Sequence, residues 1–308
     1  MASGDNEPFA LRAVTVYGDV IGIAREHDGD VHARLLEVDV TISPGEWVAI
    51  VGANGSGKST LARIVAGLYP DVMYGEAERG FAGHRASPIV LQQPRAQLFG
   101  ETPREEIAFA LEWSGAPAEQ FDALVERALA GAGLSGLRDE PWESLSGGQQ
   151  QLAAIAAATA GAERKPLVVL DEATSMLDDR NRDEVMRLAT ALHRQGTAVV
   201  WVTQRLDELL PDMRVIAMKD GRIVHDGNAR EFLYGSRADV VAGADSDAPF
   251  TTISPCLRAG LRLPYMPSLA LELRRLGRLD DPLPVTADEW RMARERMGDM
   301  KRDDATIR

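Results

Sequence analysis

A mainly parallel α/β sheet covered by helices on both faces is what this 308-residue sequence predicts. Three observations carry that expectation. Val-rich runs such as "PLVVLDE" (Pro166 to Glu172) and "TAVVWVT" (Thr197 to Thr203) are apolar at consecutive positions, the pattern of strands buried on both sides. Each is flanked by a stretch of helical periodicity, so the strands require crossovers and run parallel. One strand, Trp47 to Val51, runs directly into a glycine-rich loop followed by a helical "KSTLARIVAGL".

In chain order, "LLEVDVTISPGEWVAIVG" reads as alternating and then continuous strand pattern broken by a turn at Pro44-Gly45. A second β-like segment, "SPIVLQQP", follows near Pro88. From Thr102 to Gly133 the apolar residues of "REEIAFAL" and "EQFDALVERALAGAG" recur at helical spacing. The helix of "LSGGQQQLAAIAAATAG", the Pro166 to Glu172 strand, a helix around Asp183 to Gln195 and the Thr197 to Thr203 strand complete the core. The pattern changes past Val224. "VVAGADSDAPFTT" is rich in small and polar residues, like a linker, which we place at 239–256. Residues 257–308 then carry short helices, "SLALELRRLG" and "TADEWRMARERMG", the second with Thr286 as N-cap.

Composition narrows the function classes. A formal net charge of −13 argues against binding nucleic acid through its phosphates. A lone Cys256 excludes an intramolecular disulfide framework or a cysteine metal cluster and suits a reducing cytosol. "MASGDNEPFALRAV" has no basic region ahead of an apolar core, so no signal peptide is expected. No apolar run approaches the roughly 18 to 20 residues of a membrane span, and any membrane role must pass through a partner.

"GANGSGKST", Gly52 to Thr60, is a G-x-x-x-x-G-K-S phosphate loop between a strand and a helix, where its chemistry requires it. The backbone of Asn54, Gly55, Ser56 and Gly57 is placed to cradle phosphates, together with Lys58, Ser59 and Thr60. Lys58 supplies a point charge at the terminal phosphates, and the Ser59 hydroxyl suits Mg²⁺. At the end of the Pro166 to Glu172 strand, Asp171 is placed to hold Mg²⁺ through water and Glu172 to act as general base on an attacking water. These features name a nucleotide and not a task. A helix that starts behind Ser146-Gly147-Gly148-Gln149 presents bare N–H groups at its positive end, a second place for an anion.

"LSGGQ", Leu145 to Gln149, resembles the signature of the ATP-binding-cassette family, and the other motifs follow in that family's order. The resemblance runs over nearly the whole chain, most firmly Leu35 to Gly227. It implies a P-loop NTPase fold of the ABC-ATPase type over residues 1–238. That fold has an N-terminal antiparallel β part, a helical signature subdomain at about 95–165 and a small C-terminal helical extension. It further implies ATP and Mg²⁺ as ligands and a dimer of two ABC ATPase subunits, identical or different. In such a dimer, Ser146, Gly147, Gly148 and Gln149 of one subunit contact the nucleotide held by the phosphate loop of the other. Gln92 in "VLQQPRAQLF" resembles the residue that contacts Mg²⁺ and senses the membrane partner. "SMLD", Ser175 to Asp178, resembles the loop that crosses the dimer interface, although Met176 stands where a small residue is usual. Tyr17 resembles the aromatic that stacks on adenine, with an ordinary strand tyrosine as the alternative, because "REHDGDVHAR" lengthens the segment behind it.

Gln204 in "WVTQRLDEL" stands where the family has histidine. Its amide can donate the same hydrogen bond but cannot carry a proton, so this is either a slowed working site or the impaired site of an asymmetric dimer. "QQPRAQLFGETPREEIAFAL" and the tail are similar to the energy-coupling-factor importers of vitamins and metals, an unrelated helical tail being the alternative for the latter. That branch implies a transmembrane subunit docked near Gln92 to Phe99, a separate membrane substrate-binding protein, and a peripheral position on the cytoplasmic face of the membrane. An ATPase of an ordinary ABC importer and a non-transport ABC ATPase remain the competing readings. Repair members insert long coiled coils or zinc modules between phosphate loop and signature, for which Lys58 and Ser146 are too close and the cysteines are lacking.

Overall fold

The computed structural model describes residues 6–18, 33–161, 164–211, 213–235 and 254–306. Most of the proposed linker at 239–256 and of the Arg25 to Arg34 insertion lies outside them.

Nine strands and nine α-helices are present among the described residues. Strands β1 (Phe9–Tyr17), β2 (Ala33–Ile42) and β4 (Met73–Glu78) form an antiparallel sheet in the order β2-β1-β4. The central sheet has the order β5-β6-β7-β3-β8-β9, built from β3 (Trp47–Gly52), β5 (Ile89–Val90), β6 (Leu167–Asp171), β7 (Ala198–Val202), β8 (Arg214–Lys219) and β9 (Arg222–Asn228). All of its pairings are parallel except β8 with β9.

Every residue of β3, β6 and β7 is buried, and the period of two divides them between two cores. Trp47, Ala49, Val168, Leu170, Val199 and Trp201 face a core completed by α2 (Pro103–Ser114), α3 (Phe121–Gly131), α4 (Gly147–Thr159) and α5 (Asp179–Arg194). Val48, Ile50, Leu167, Val169, Val200 and Val202 face a second core made by α1 (Lys58–Ala66) and the antiparallel sheet. Burial on both faces is why these strands read as unbroken apolar runs.

Two elements differ from the sequence reading for local reasons. The Pro88 segment forms only a two-residue strand, because the Gln97 side chain takes over the ladder: its Oε1 accepts from Leu91 N–H at 2.8 Å and its Nε2 donates to Ile89 O at 3.1 Å. Helix α5 starts at Asp179 and not near Asp183, because Asp178 caps it, accepting from Asn181 N–H at 2.8 Å.

Behind β9, α6 (Ala229–Tyr234) carries α7 (Pro255–Arg258), α8 (Tyr265–Arg275) and α9 (Ala287–Thr306). Cys256, Ala270, Leu283 and Ala293 are buried in the same core as the central sheet. Arg230 pairs with Glu289 at 2.6 Å and also donates to Leu283 O, while Tyr234 donates to Pro284 O. Thr286 caps α9 as expected, accepting from Glu289 N–H at 3.3 Å. Among the described residues no helix is long and apolar enough to cross a membrane.

Candidate nucleotide site

Helix α1 begins without a side-chain cap, at Gly57 in left-handed conformation (φ 101°). A missing cap costs about 1 kcal/mol, while Leu61, Ile64 and Val65 are fully buried and contribute roughly 1.5–3 kcal/mol each. Packing therefore holds the helix and leaves its first N–H groups open to an anion. The same loop cannot accept a side chain at 57: a Cβ there would lie 2.6 Å from Arg34 O and 2.9 Å from Leu35 Cδ2. Gly57→Ala is expected to lower stability by about 2 kcal/mol or more through this backbone clash and positive φ. Thermal unfolding of the purified chain would measure it.

The loop and the end of β6 border a cleft of about 290 Å³. Asn54, Gly55, Gly57, Lys58, Ser59, Thr60, Gln92, Asp171 and Glu172 line it, together with Arg34. Lys58 is only 4% exposed; its Nζ donates to Gly52 O at 3.0 Å and Ala53 O at 3.1 Å and stands 3.7 Å from Glu172 Oε1. Burial pushes its ammonium below the ordinary lysine value, against the opposing pull of Glu172 and Asp171. Burial also raises the Asp171 carboxyl, the Ser59 hydrogen bond pulling the other way. Ser59 Oγ donates to Asp171 Oδ1 at 3.2 Å. With Gln92 on the same wall, these hard oxygen donors fit Mg²⁺. Ser56 Oγ is buried without a hydrogen-bond partner.

Glu172 leaves β6 in left-handed conformation (φ 52°), a state that costs a non-glycine residue roughly 1–2 kcal/mol. Its N–H donates to Val202 O at 2.9 Å, which ties the bend to β7. Gln204, two residues past β7, reaches two residues of the cleft: its Nε2 donates to Glu172 Oε1 at 2.6 Å and to Asn54 Oδ1 at 2.7 Å.

Ser146, Gly147, Gly148, Gln149, Asp178 and Tyr17 do not line this cleft. Ser146 and Gln149 close a capping box, Ser146 Oγ accepting from Gln149 N–H at 3.3 Å and Gln149 Oε1 from Ser146 N–H at 2.8 Å. The two glycines have different reasons. A Cβ at Gly148 would strike the Asn181 side chain at 2.2 Å, so this glycine lets α4 meet α5, whereas Gly147 faces open space. Tyr17 is partly exposed and meets Tyr74 edge-on, with ring centroids 6.0 Å apart.

The ABC transporter family model matches residues 35–175. Energy-coupling factor transporter ATP-binding protein EcfA1 of Lactococcus lactis subsp. lactis is 33% identical over 261 residues, covering 82% of this chain and 87% of that protein. The protein of the same name in Streptococcus mutans is 37% identical over 240 residues, covering 73% and 82%. The chain belongs to the ABC family, among its energy-coupling factor ATP-binding proteins.

Solved structures agree with this ABC ATPase. The cbiO1 protein of Clostridium perfringens, described as part of the ABC transporter complex cbiONQ, is 26% identical at a TM-score of 0.59, covering 73% of this chain and 90% of its own. The ATP-binding cassette MJ0796, a dimer in a post-hydrolysis state with ADP and Pi, gives the same TM-score and identity over 72% of this chain and 99% of its own.

The sequence reading missed two contributors. Arg34 lines the cleft from β2, although nothing marks it beyond a cation at a strand start. Glu208 is buried behind the segments that follow β6 and β7 and gathers three donors. Its signal was indirect: Trp201 sits in an all-buried strand, and a buried indole N–H needs an acceptor.

Proposed function

We propose that this ATPase energises uptake of a vitamin, metal ion or similar micronutrient through an energy-coupling-factor transporter, as a peripheral subunit on the cytoplasmic face of the membrane. The observation that carries the chemistry is the meeting of Lys58, Ser59, Asp171 and Glu172 at one cleft, with Gln204 hydrogen-bonded to Glu172.

ATP is the substrate. The phosphate-loop N–H groups and Lys58 bind and orient its phosphates. Glu172, held by its bend and by Gln204, takes the proton of the attacking water. Ser59 and Gln92 would hold Mg²⁺, with Asp171 acting through water; the ion, when bound, supplies charge against the β- and γ-phosphates. Gln204 has two amide hydrogens, and both are engaged, on Glu172 and Asn54. Contact with a γ-phosphate requires giving up one of them, which supports a working but slowed site.

Ser146, Gly147, Gly148 and Gln149 face the nucleotide of a second ABC ATPase subunit, and Asp178 lies in the loop between the two. Their position away from this chain's own cleft supports that reading. Tyr17 stacks on adenine. The transmembrane subunit docks near Gln92 to Phe99. Phe99 there is 76% exposed and stacks on Phe109, which stacks on Trp113, 84% exposed, and apolar surface of this kind favours a partner. A separate membrane protein binds the cargo.

The test is to purify the chain by a tag from its native membrane and identify what accompanies it. Recovery of a second cassette ATPase, a transmembrane subunit and a small membrane binding protein supports the proposal. An ordinary permease with a soluble binding protein, or no membrane protein, overturns the energy-coupling-factor reading. In the purified complex, Gln204→His is expected to raise ATP turnover by up to about tenfold, since an imidazole N–H can serve the phosphate and the ring, unlike the amide, can also carry a proton.

A further inference from the structure

Glu208 belongs to no motif, yet its carboxylate joins the two segments that carry the catalytic pair. Oε1 accepts from Thr174 Oγ1 at 2.6 Å, and Oε2 accepts from Thr203 Oγ1 at 2.7 Å and Trp201 Nε1 at 3.0 Å. The group is 9% exposed, and Arg205 Nε, buried without a hydrogen-bond partner, stands 3.7 Å from Oε1. Thr174 lies two residues beyond Glu172 and opens the turn to Leu177, whose N–H donates to Thr174 O at 3.1 Å. Thr203 directly precedes Gln204 and accepts from Arg205 N–H at 2.9 Å, which fixes the chain's departure from β7.

We propose that Glu208 is a positioning residue for ATP hydrolysis: by clamping Thr174 to Thr203 it sets the 2.6 Å contact between Glu172 and Gln204. The inference rests on the roles proposed above for those two residues. Glu172 sits in left-handed backbone, a conformation that persists only where its surroundings hold it. The bond from Glu172 N–H to Val202 O secures the bend on one side, and the Glu208 clamp secures it on the other. A buried carboxylate accepting three hydrogen bonds also has two fixed oxygens with which to hold both segments at once, which a hydroxyl or a single carbonyl lacks. Glu208 does not line the cleft, so its effect falls on geometry and not on ATP affinity.

The test uses the assembled transporter complex, with Glu208→Gln, Thr174→Val, Thr203→Val and the double threonine variant beside Glu172→Gln and Lys58→Ala. Glu208→Gln keeps the volume but replaces one acceptor oxygen by a donor. Its kcat is expected to fall by about tenfold or more with KM for ATP within about twofold of wild type. The two threonine variants are expected to lose kcat non-additively, since each opens the same clamp. Unchanged kcat in Glu208→Gln, or a loss matched by a rise in KM, overturns the inference. If Glu208→Gln does not fold, the threonine variants decide: additive losses overturn it and non-additive losses uphold it. Normal turnover in Glu172→Gln and Lys58→Ala would instead remove the catalytic reading on which the inference stands.

Discussion

Glu172→Gln is expected to lower ATP turnover of the assembled transporter by about 10² to 10⁴-fold while ATP binding survives, the range a positioned general base contributes. The substitution is nearly isosteric, and a glutamine carbonyl oxygen at 172 can still accept from Gln204 Nε2, now 2.6 Å from the carboxylate. What is lost is the carboxylate proposed to take the proton. The bend survives as well, because the tie to Val202 O and the acceptance of Ser175 Oγ at 2.9 Å use only the backbone of residue 172. ATP bound by such a variant stays intact, so two subunits closed around it are expected to remain closed. Size-exclusion chromatography with ATP and Mg²⁺ would show the trapped dimer, and ADP would not produce it. Turnover within about tenfold of wild type would remove Glu172 from the role of base.

The parts of this fold that could be read from the sequence are those where one local pattern decides the structure. The strands β3, β6 and β7 were legible because burial on both faces leaves no polar position in them. The phosphate loop was legible because Gly57 must be glycine for conformational reasons that the spacing to Lys58 encodes. The hairpin of β8 and β9 was not taken from the sequence, although Asp220 and Gly221, both at positive φ, form the two-residue turn that such strands favour. The short β5 was overestimated because its ladder ends in a side chain, Gln97, and no propensity anticipates a glutamine closing a strand from seven residues away.

Within the site the same division holds. Lys58, Ser59, Asp171 and Glu172 were legible as motifs, and the structure brings all four to one cleft. Glu208 was not, because its importance lies in what it accepts from Thr174 and Trp201, residues distant in the chain or hidden on one strand face. Gly148 resembles an anion contact in the sequence, and the structure adds a separate reason for its lack of a side chain, the close approach of Asn181 on α5, a packing demand that only the tertiary structure reveals.

Lys58→Ala is expected to lower turnover by about 10² to 10³-fold or more, the cost of losing one positioned cation at developing phosphate charge, and to weaken ATP binding. Lys58→Arg separates charge from geometry. Arginine keeps the positive charge, but its planar guanidinium is bulkier than an ammonium and cannot replace it as a compact point donor. Lys58 is 4% exposed and sits within 3.1 Å of two loop carbonyls, Gly52 O and Ala53 O, so the loop is closed around an ammonium of that size. Forcing a guanidinium into this space opens the loop that has to surround the phosphates. Lys58→Arg is therefore expected to lose turnover nearly as fully as Lys58→Ala, with a fluorescent ATP analogue reading the affinity and phosphate release reading the rate. An arginine variant that keeps wild-type turnover would mean that charge alone suffices, and that the tight seat of Lys58 holds the loop without tuning the chemistry.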